Sequence, residues 1–153
     1  MGRALTTIIL FSFVVSCIMV TGCKKENNDN GQSISMTTKL DGHDWSTSVV
    51  YASYNSGYLS IVGSNPLLGT IMITVDEFTE GTYELGSDIH KFATYSNKDQ
   101  IIFYTNPYGS GEITITSIDQ ESKYVTGTFN FIAKNLSGNP ITATEGSFSS
   151  KYD

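Results

Sequence analysis

Val125-Thr126-Gly127-Thr128-Phe129-Asn130-Phe131-Ile132-Ala133 is the stretch that decides the fold. Val125, Gly127, Phe129, Phe131 and Ala133 fall on one face, while Tyr124, Thr126, Thr128 and Asn130 fall on the other. A period of two belongs to an extended strand with one face against a core and one in water. Strands of that kind build antiparallel sheets, because parallel strands are covered on both faces. The same alternation recurs outward from this segment. Ile71, Ile73 and Val75 oppose Thr70, Met72 and Thr74, and Ile113 and Ile115 oppose Thr114 and Thr116.

Candidate strands are 33–40, 43–54, 58–63, 69–75, 81–85, 90–96, 100–105, 111–118, 123–134 and 141–149. Between them lie turn-forming clusters such as Asn55-Ser56-Gly57, Ser64-Asn65-Pro66, Asn106-Pro107-Tyr108-Gly109 and Ser137-Gly138-Asn139-Pro140. All three prolines fall in such clusters, where a missing amide donor breaks no ladder. No stretch after residue 33 carries a 3.6-residue apolar stripe. The expectation is one all-β domain over 34–153, a single antiparallel meander of about 8–10 strands closed as a lipocalin-like barrel, since closure removes free edges. The alternative is a two-layer immunoglobulin-like β-sandwich, which lacks its usual Cys…Trp…Cys core in this chain.

The first residues read as an address. Met1-Gly2-Arg3 is a cationic start, and Ala4 to Val20 is apolar or small without a charge. This is the layout of a secretory signal, and 17 residues is short for a spanning helix, which takes about 20. Val20-Thr21-Gly22-Cys23 closes the run and resembles the bacterial lipoprotein signal. That resemblance implies cleavage between Gly22 and Cys23, a diacylglycerol thioether on the Cys23 thiol and anchoring through two or more acyl chains. The segments are then 1–22 signal peptide, 23–33 disordered polar tether and 34–153 domain. Lys24-Lys25-Glu26 further resembles the Lys-plus-acid signal of surface-exposed Bacteroidetes lipoproteins. The implied address is the outer membrane, on the cell-surface face rather than the periplasmic one.

Composition excludes several functions. The chain has 9 Lys+Arg against 15 Asp+Glu and a formal charge of -6, so it lacks the cations that displace phosphate counterions. Nucleic acid is not an expected partner. Of the two cysteines, Cys17 leaves with the signal and Cys23 carries lipid. Thiol catalysis, Cys-ligated zinc and disulfides therefore drop out of the folded part. There is no nucleophile elbow, phosphate loop or dinucleotide fingerprint, and no cofactor is expected.

Several segments resemble an uncharacterised group of small Bacteroidetes lipoproteins. They are Leu40-Asp41-Gly42-His43-Asp44-Trp45, Gly81-Thr82-Tyr83-Glu84-Leu85, and Ile113 to Asp119 followed by Val125 to Phe131 and Gly146-Ser147-Phe148. Asp41 and His43 depart from that group's usual Asn and Lys. The resemblance implies a β-rich envelope domain and brings no catalytic residues with it.

Two polar clusters have the residue types of a metal site. Asp41, His43 and Asp44 put an imidazole beside two carboxylates, and Asp76, Glu77 and Glu80 form an acidic turn. Lone clusters of this kind are usually solvated, so no metal site is assigned. A carboxylate pair for glycoside hydrolysis cannot be picked out among 15 acids. The aromatics are more suggestive: Tyr54 and Tyr58 flank one turn and Tyr108 sits in another, so the three could offer stacking area to a glycan if both turns lie at one end. The functional expectation is a monomeric, non-enzymatic, lipid-anchored module binding a glycan or protein. The alternatives are a hydrolase or a scaffold or inhibitor of another envelope protein.

Overall fold

A computed structural model describes residues 32–153, and the expected signal, Cys23 and the tether up to residue 31 lie outside them. Eleven strands follow in order: β1 (Ser35–Leu40), β2 (His43–Thr47), β3 (Val50–Asn55), β4 (Tyr58–Asn65), β5 (Gly69–Val75), β6 (Gly81–Leu85), β7 (Phe92–Ser96), β8 (Ile102–Tyr104), β9 (Ser110–Asp119), β10 (Tyr124–Lys134) and β11 (Pro140–Lys151). All are antiparallel to their ladder partners, in the order β2-β1-β11-β10-β8-β7-β5-β4-β3. The sheet forks at β10. One edge of that strand meets β9 from Tyr124 to Ile132 and β8 at Lys134, and β9 carries β6 on its far side.

The chain is all-β and antiparallel, as its alternation predicts, but the ladder does not close into a barrel. The reason lies in the expected strand 43–54, which breaks at Ser48-Val49. The Thr47 hydroxyl accepts the Val49 amide at 2.9 Å, a local bond that competes with the ladder, and Val49 points into solvent. The halves then part company: β2 pairs with β1, and β3 pairs with β4. Thr47 Oγ1 donates to the Ser64 carbonyl at 2.6 Å and Asn65 Nδ2 to the Ser46 carbonyl at 2.8 Å. Lower down, an isolated bridge joins Ala52 to Tyr152, and the Tyr54 amide donates to the Asp153 carbonyl at 3.1 Å. A seam held by such contacts covers the edges without a continuous ladder. The connectivity also departs from a plain meander, since β1–β11, β5–β7 and β6–β9 pair across intervening chain.

Sheet ends folded over one another share one core, the two-layer feature of the alternative reading. Trp45, Met36, Leu59, Ile61, Ile71, Ile73, Val125 and Phe131 are among its buried members. A Cβ added to Gly63 on β4 would lie 2.5 Å from Met36 Sδ and 3.1 Å from Trp45 Cη2, so β4 packs on side chains from β1 and β2. Between β10 and β11, Gly127 faces Phe148 and Phe129 faces Gly146. Each ring lies over the opposite glycine: an added Cβ would meet Phe148 Cζ at 2.6 Å at the first and Phe129 Cδ2 at 2.6 Å at the second. The two bulky rings fit side by side only because their partners have no side chain.

Candidate functional site

Tyr58 at the start of β4 and Tyr108 beyond β8 do lie at one end of this part of the sheet. Thr74 at the foot of β5 faces Phe92 at the foot of β7, and the Thr105 amide donates to the Ala93 carbonyl. They are, however, three strand spacings apart, roughly 14 Å. Tyr54 and Tyr58 also leave the hairpin on opposite faces. Tyr54 follows the inward Ala52 and stacks on Phe78 at 4.5 Å, with Phe78 edge-on to Tyr152 at 4.9 Å. Tyr58 precedes the inward Leu59, turns outward and bonds His90 Nδ1 through its hydroxyl at 2.9 Å. Tyr54 lids the core and Tyr58 braces the outer face, and the ring contacts of Tyr54 and Tyr58 do not include Tyr108.

The polar clusters are occupied locally. Asp41 Oδ1 accepts the Thr142 amide at 2.8 Å, and His43 Nδ1 sits 3.1 Å from the Asp41 carbonyl. Lys91 pairs with both Asp76 and Glu77 at 3.1 Å, and hydrogen bonding to these carboxylates raises its pKa. Glu80 accepts the Ile118 amide at 3.2 Å. Among the described residues no three His, Cys, Asp or Glu side chains converge as metal ligands.

An open cleft of about 500 Å³ lies in the fork, lined by Glu84, Glu112, Asn130, Ser87, Ser110 and neighbouring backbone. Glu84 on β6 stands directly opposite Glu112 on β9, and Asn130 Nδ2 donates to Glu112 Oε1 at 3.0 Å. This is a carboxylate pair that the sequence could not single out. Both glutamates are exposed, and the cleft is lined by Leu85 and glycines as well as by Ser87, Ser110 and Asn130. Burial sets neither carboxyl apart from the other, whereas acid–base division of labour rests on such a difference.

A different surface forms where three turns meet. In each, an asparagine opens the turn and its side-chain oxygen accepts two later amides. Asn65 holds Leu67 and Leu68 at 2.9 and 3.0 Å. Asn97 holds Asp99 and Ile101 at 3.0 and 2.9 Å. Asn135 holds Ser137 and Asn139 at 3.0 and 2.9 Å. Asx bonds of this kind fix a turn without neighbouring support. The first two turns touch: the Tyr95 hydroxyl donates to the Leu68 carbonyl, and a Cβ at Gly69 (φ +105°) would lie 2.2 Å from the Ser96 carbonyl oxygen. The second and third share a cleft of about 300 Å³ between Gln100–Ile102 and Asn135–Ser137.

These braced turns hold aliphatic side chains out in water. Leu136 is 85% exposed, Leu67 78%, and Leu68, Ile101 and Ile102 between 41% and 45%. Ile101, Ile102 and Leu136 line one cleft, while Leu67 and Leu68 stand on the hairpin beyond Tyr95; a clustered apolar exposure marks a contact surface more often than a scattered leucine does. Leu136 lies far from Gln32, whereas the Asn65 turn reaches back to Ser46, which pairs with Thr37 on β1. Gln32 accepts a bond from the Tyr124 hydroxyl at the first residue of β10, whereas Leu136 lies two residues past its last. Eleven strand residues separate those ends by about 33 Å. The turn clusters Ser64-Asn65-Pro66 and Ser137-Gly138-Asn139-Pro140 are legible in the sequence, but the exposed aliphatic surface beside them is not. Its signal was an aliphatic residue following Asn within a turn, where apolar residues have no core to enter.

Residues 32–150 match the family described as Domain of unknown function (DUF6252). No curated protein and no solved structure matches the chain.

Proposed function

Because the chain belongs to the DUF6252 family, whose function is unknown, its role is read from its own surface, and we propose a lipid-anchored, non-enzymatic binding module of the cell envelope. Lipid on Cys23 would hold it at the outer membrane, on the cell-surface face, with the loop end as its working end. One observation carries this reading: Gln32, nine positions after Cys23, is held at the start of β10, whereas Ile101, Ile102 and Leu136 are exposed around its other end. A module tethered at one end and structured for contact at the other has the layout of a presenter. Function carried by loops on a rigid sheet is the common arrangement.

Membrane fractionation and mass spectrometry of the N-terminal peptide test the anchor. The expected result is a diacylated Cys23 peptide in the outer-membrane fraction and release of the Cys23→Ser variant from it. An unmodified N-terminus in a soluble fraction would overturn the proposal. The opposed Glu84 and Glu112 favour a second reading, a glycan hydrolase. Turnover of an envelope or dietary glycan that vanishes in both Glu84→Gln and Glu112→Gln would establish that reading instead.

A further inference from the structure

We propose that Tyr152 and Asp153 form a clasp, and that its release opens the seam between β3 and β11 while the rest of the sheet stays folded. The device depends neither on the anchor nor on what the domain binds. On one side β3 has a full ladder, with Val50 to Asn55 facing Gly63 to Tyr58 of β4. On its other side, among the described residues, it meets the end of β11 and the clasp in parallel register. Ser150 Oγ lies 3.4 Å from the Val50 carbonyl but 2.9 Å from the Lys151 carbonyl, so its one proton is shared. Ala52 bridges Tyr152. The Tyr54 amide donates to the Asp153 carbonyl at 3.1 Å, and the Tyr51 hydroxyl donates to Asp153 Oδ2 at 2.6 Å.

The core does little to hold this join shut. Ala52 is the one buried side chain of β3, whereas β5 buries Ile71, Ile73 and Val75. A strand that buries so little apolar surface belongs to the low-stability end of a fold, where local bonds decide whether it stays shut. The far end of the seam is fixed separately, by the bonds from Thr47 to Ser64 and from Asn65 to Ser46. Those bonds do not involve Asp153, so they act as the hinge when the clasp lets go. Opening from the clasp end breaks the ring file Tyr54–Phe78–Tyr152, whose centroids lie 4.5 and 4.9 Å apart. It uncovers Ala52 and the strand edge of β3, which the closed seam covers.

Thiol labelling under native conditions tests this on the full chain. The variants are Ala52→Cys, beneath the seam, and Ala93→Cys in β7; both alanines are 0% exposed, and the unsubstituted chain is the blank. When closing outruns reaction, the labelling rate reports the population of the open form. Ala52→Cys should react at least about tenfold faster than Ala93→Cys, and low urea should speed only the latter, because a local opening exposes little surface. Removing Asp153 should speed Ala52→Cys by about tenfold more and leave Ala93→Cys unchanged. Tyr51→Phe, which loses one hydroxyl bond, should speed it about fivefold. Equal rates or equal urea slopes for the two variants would overturn the inference. So would removal of Asp153 that leaves Ala52→Cys unchanged, or that speeds both variants alike through a general loss of stability. Should Ala52→Cys fail to fold, amide exchange of the unsubstituted chain decides. The Tyr54 amide exchanging well ahead of Ile73 supports the clasp, and the two exchanging together sinks it.

Discussion

The ring-over-glycine pairs between β10 and β11 make a sharp prediction. Phe148 is 4% exposed and its ring occupies the place of the Gly127 side chain. Phe148→Ala deletes a buried ring and should cost about 3–5 kcal/mol. Gly127→Ala puts a Cβ 2.3 Å from the Thr114 carbonyl oxygen and 2.6 Å from Phe148 Cζ. Overpacking of that kind costs about 1–3 kcal/mol or more, against the fraction of a kcal/mol that alanine recovers in chain entropy. In the double variant the ring clash is gone, but the Thr114 oxygen remains, because β9 holds it in the ladder beside β10. The two costs should therefore fall short of additivity by about 1–2 kcal/mol. Urea unfolding followed through the single Trp45, which is 2% exposed, supplies the measurement. With a slope of about 2 kcal/mol/M, Phe148→Ala lowers the midpoint by roughly 1.5–2.5 M. Additive single-variant costs, or a Gly127→Ala protein as stable as the parent, would refute the packing argument.

Three other outcomes follow from the same physics. Removing Asp153 should expose the Tyr54 amide, which donates to its carbonyl, and hydrogen exchange at Tyr54 should accelerate while Ile73 and Ile115 keep their protection. Asn97→Ala removes two amide bonds at 3.0 and 2.9 Å, and should lower stability by about 1–2 kcal/mol while leaving the secondary-structure circular dichroism signal unchanged. Tyr95 is raised from its ordinary pKa by burial and Tyr51 by its hydrogen bond to Asp153, while Lys39 is raised by its bond to Glu145. Each group is stabilising below its unfolded pKa, and that contribution is lost as pH rises through the folded value. The urea midpoint should fall above about pH 10, and Tyr51→Phe should flatten part of that fall.

The strands were legible because one-sided burial writes itself into the chain as alternation. Ile71, Ile73 and Val75, or Phe129 and Phe131, have no other way of meeting one core. The break at Ser48-Val49 was not legible. Val49 continues a β-favouring pattern, and only the Thr47 hydroxyl taking its amide shows why pairing stops there. Partner choice was equally hidden, since β6 finds β9 and β1 finds β11 through contacts distant in sequence. Tyr54 and Tyr58 illustrate a third limit. Tyrosine suits both a half-buried strand and a binding surface, and face assignment across the Ser56-Gly57 turn decides between them. The exposed turn surface was hidden because Ile101, Ile102 and Leu136 share a cleft only when two separate turns line up at one end.

Depth of Leu136 above the bilayer tests the central claim most directly. The lipidated chain, in vesicles holding a lipid-bound quencher, is labelled in turn through cysteines placed at Ile34 and Leu136. Strong quenching at 34 and none at 136 is the result expected of an anchor at one end and a working surface at the other. Equal quenching at the two positions would contradict it.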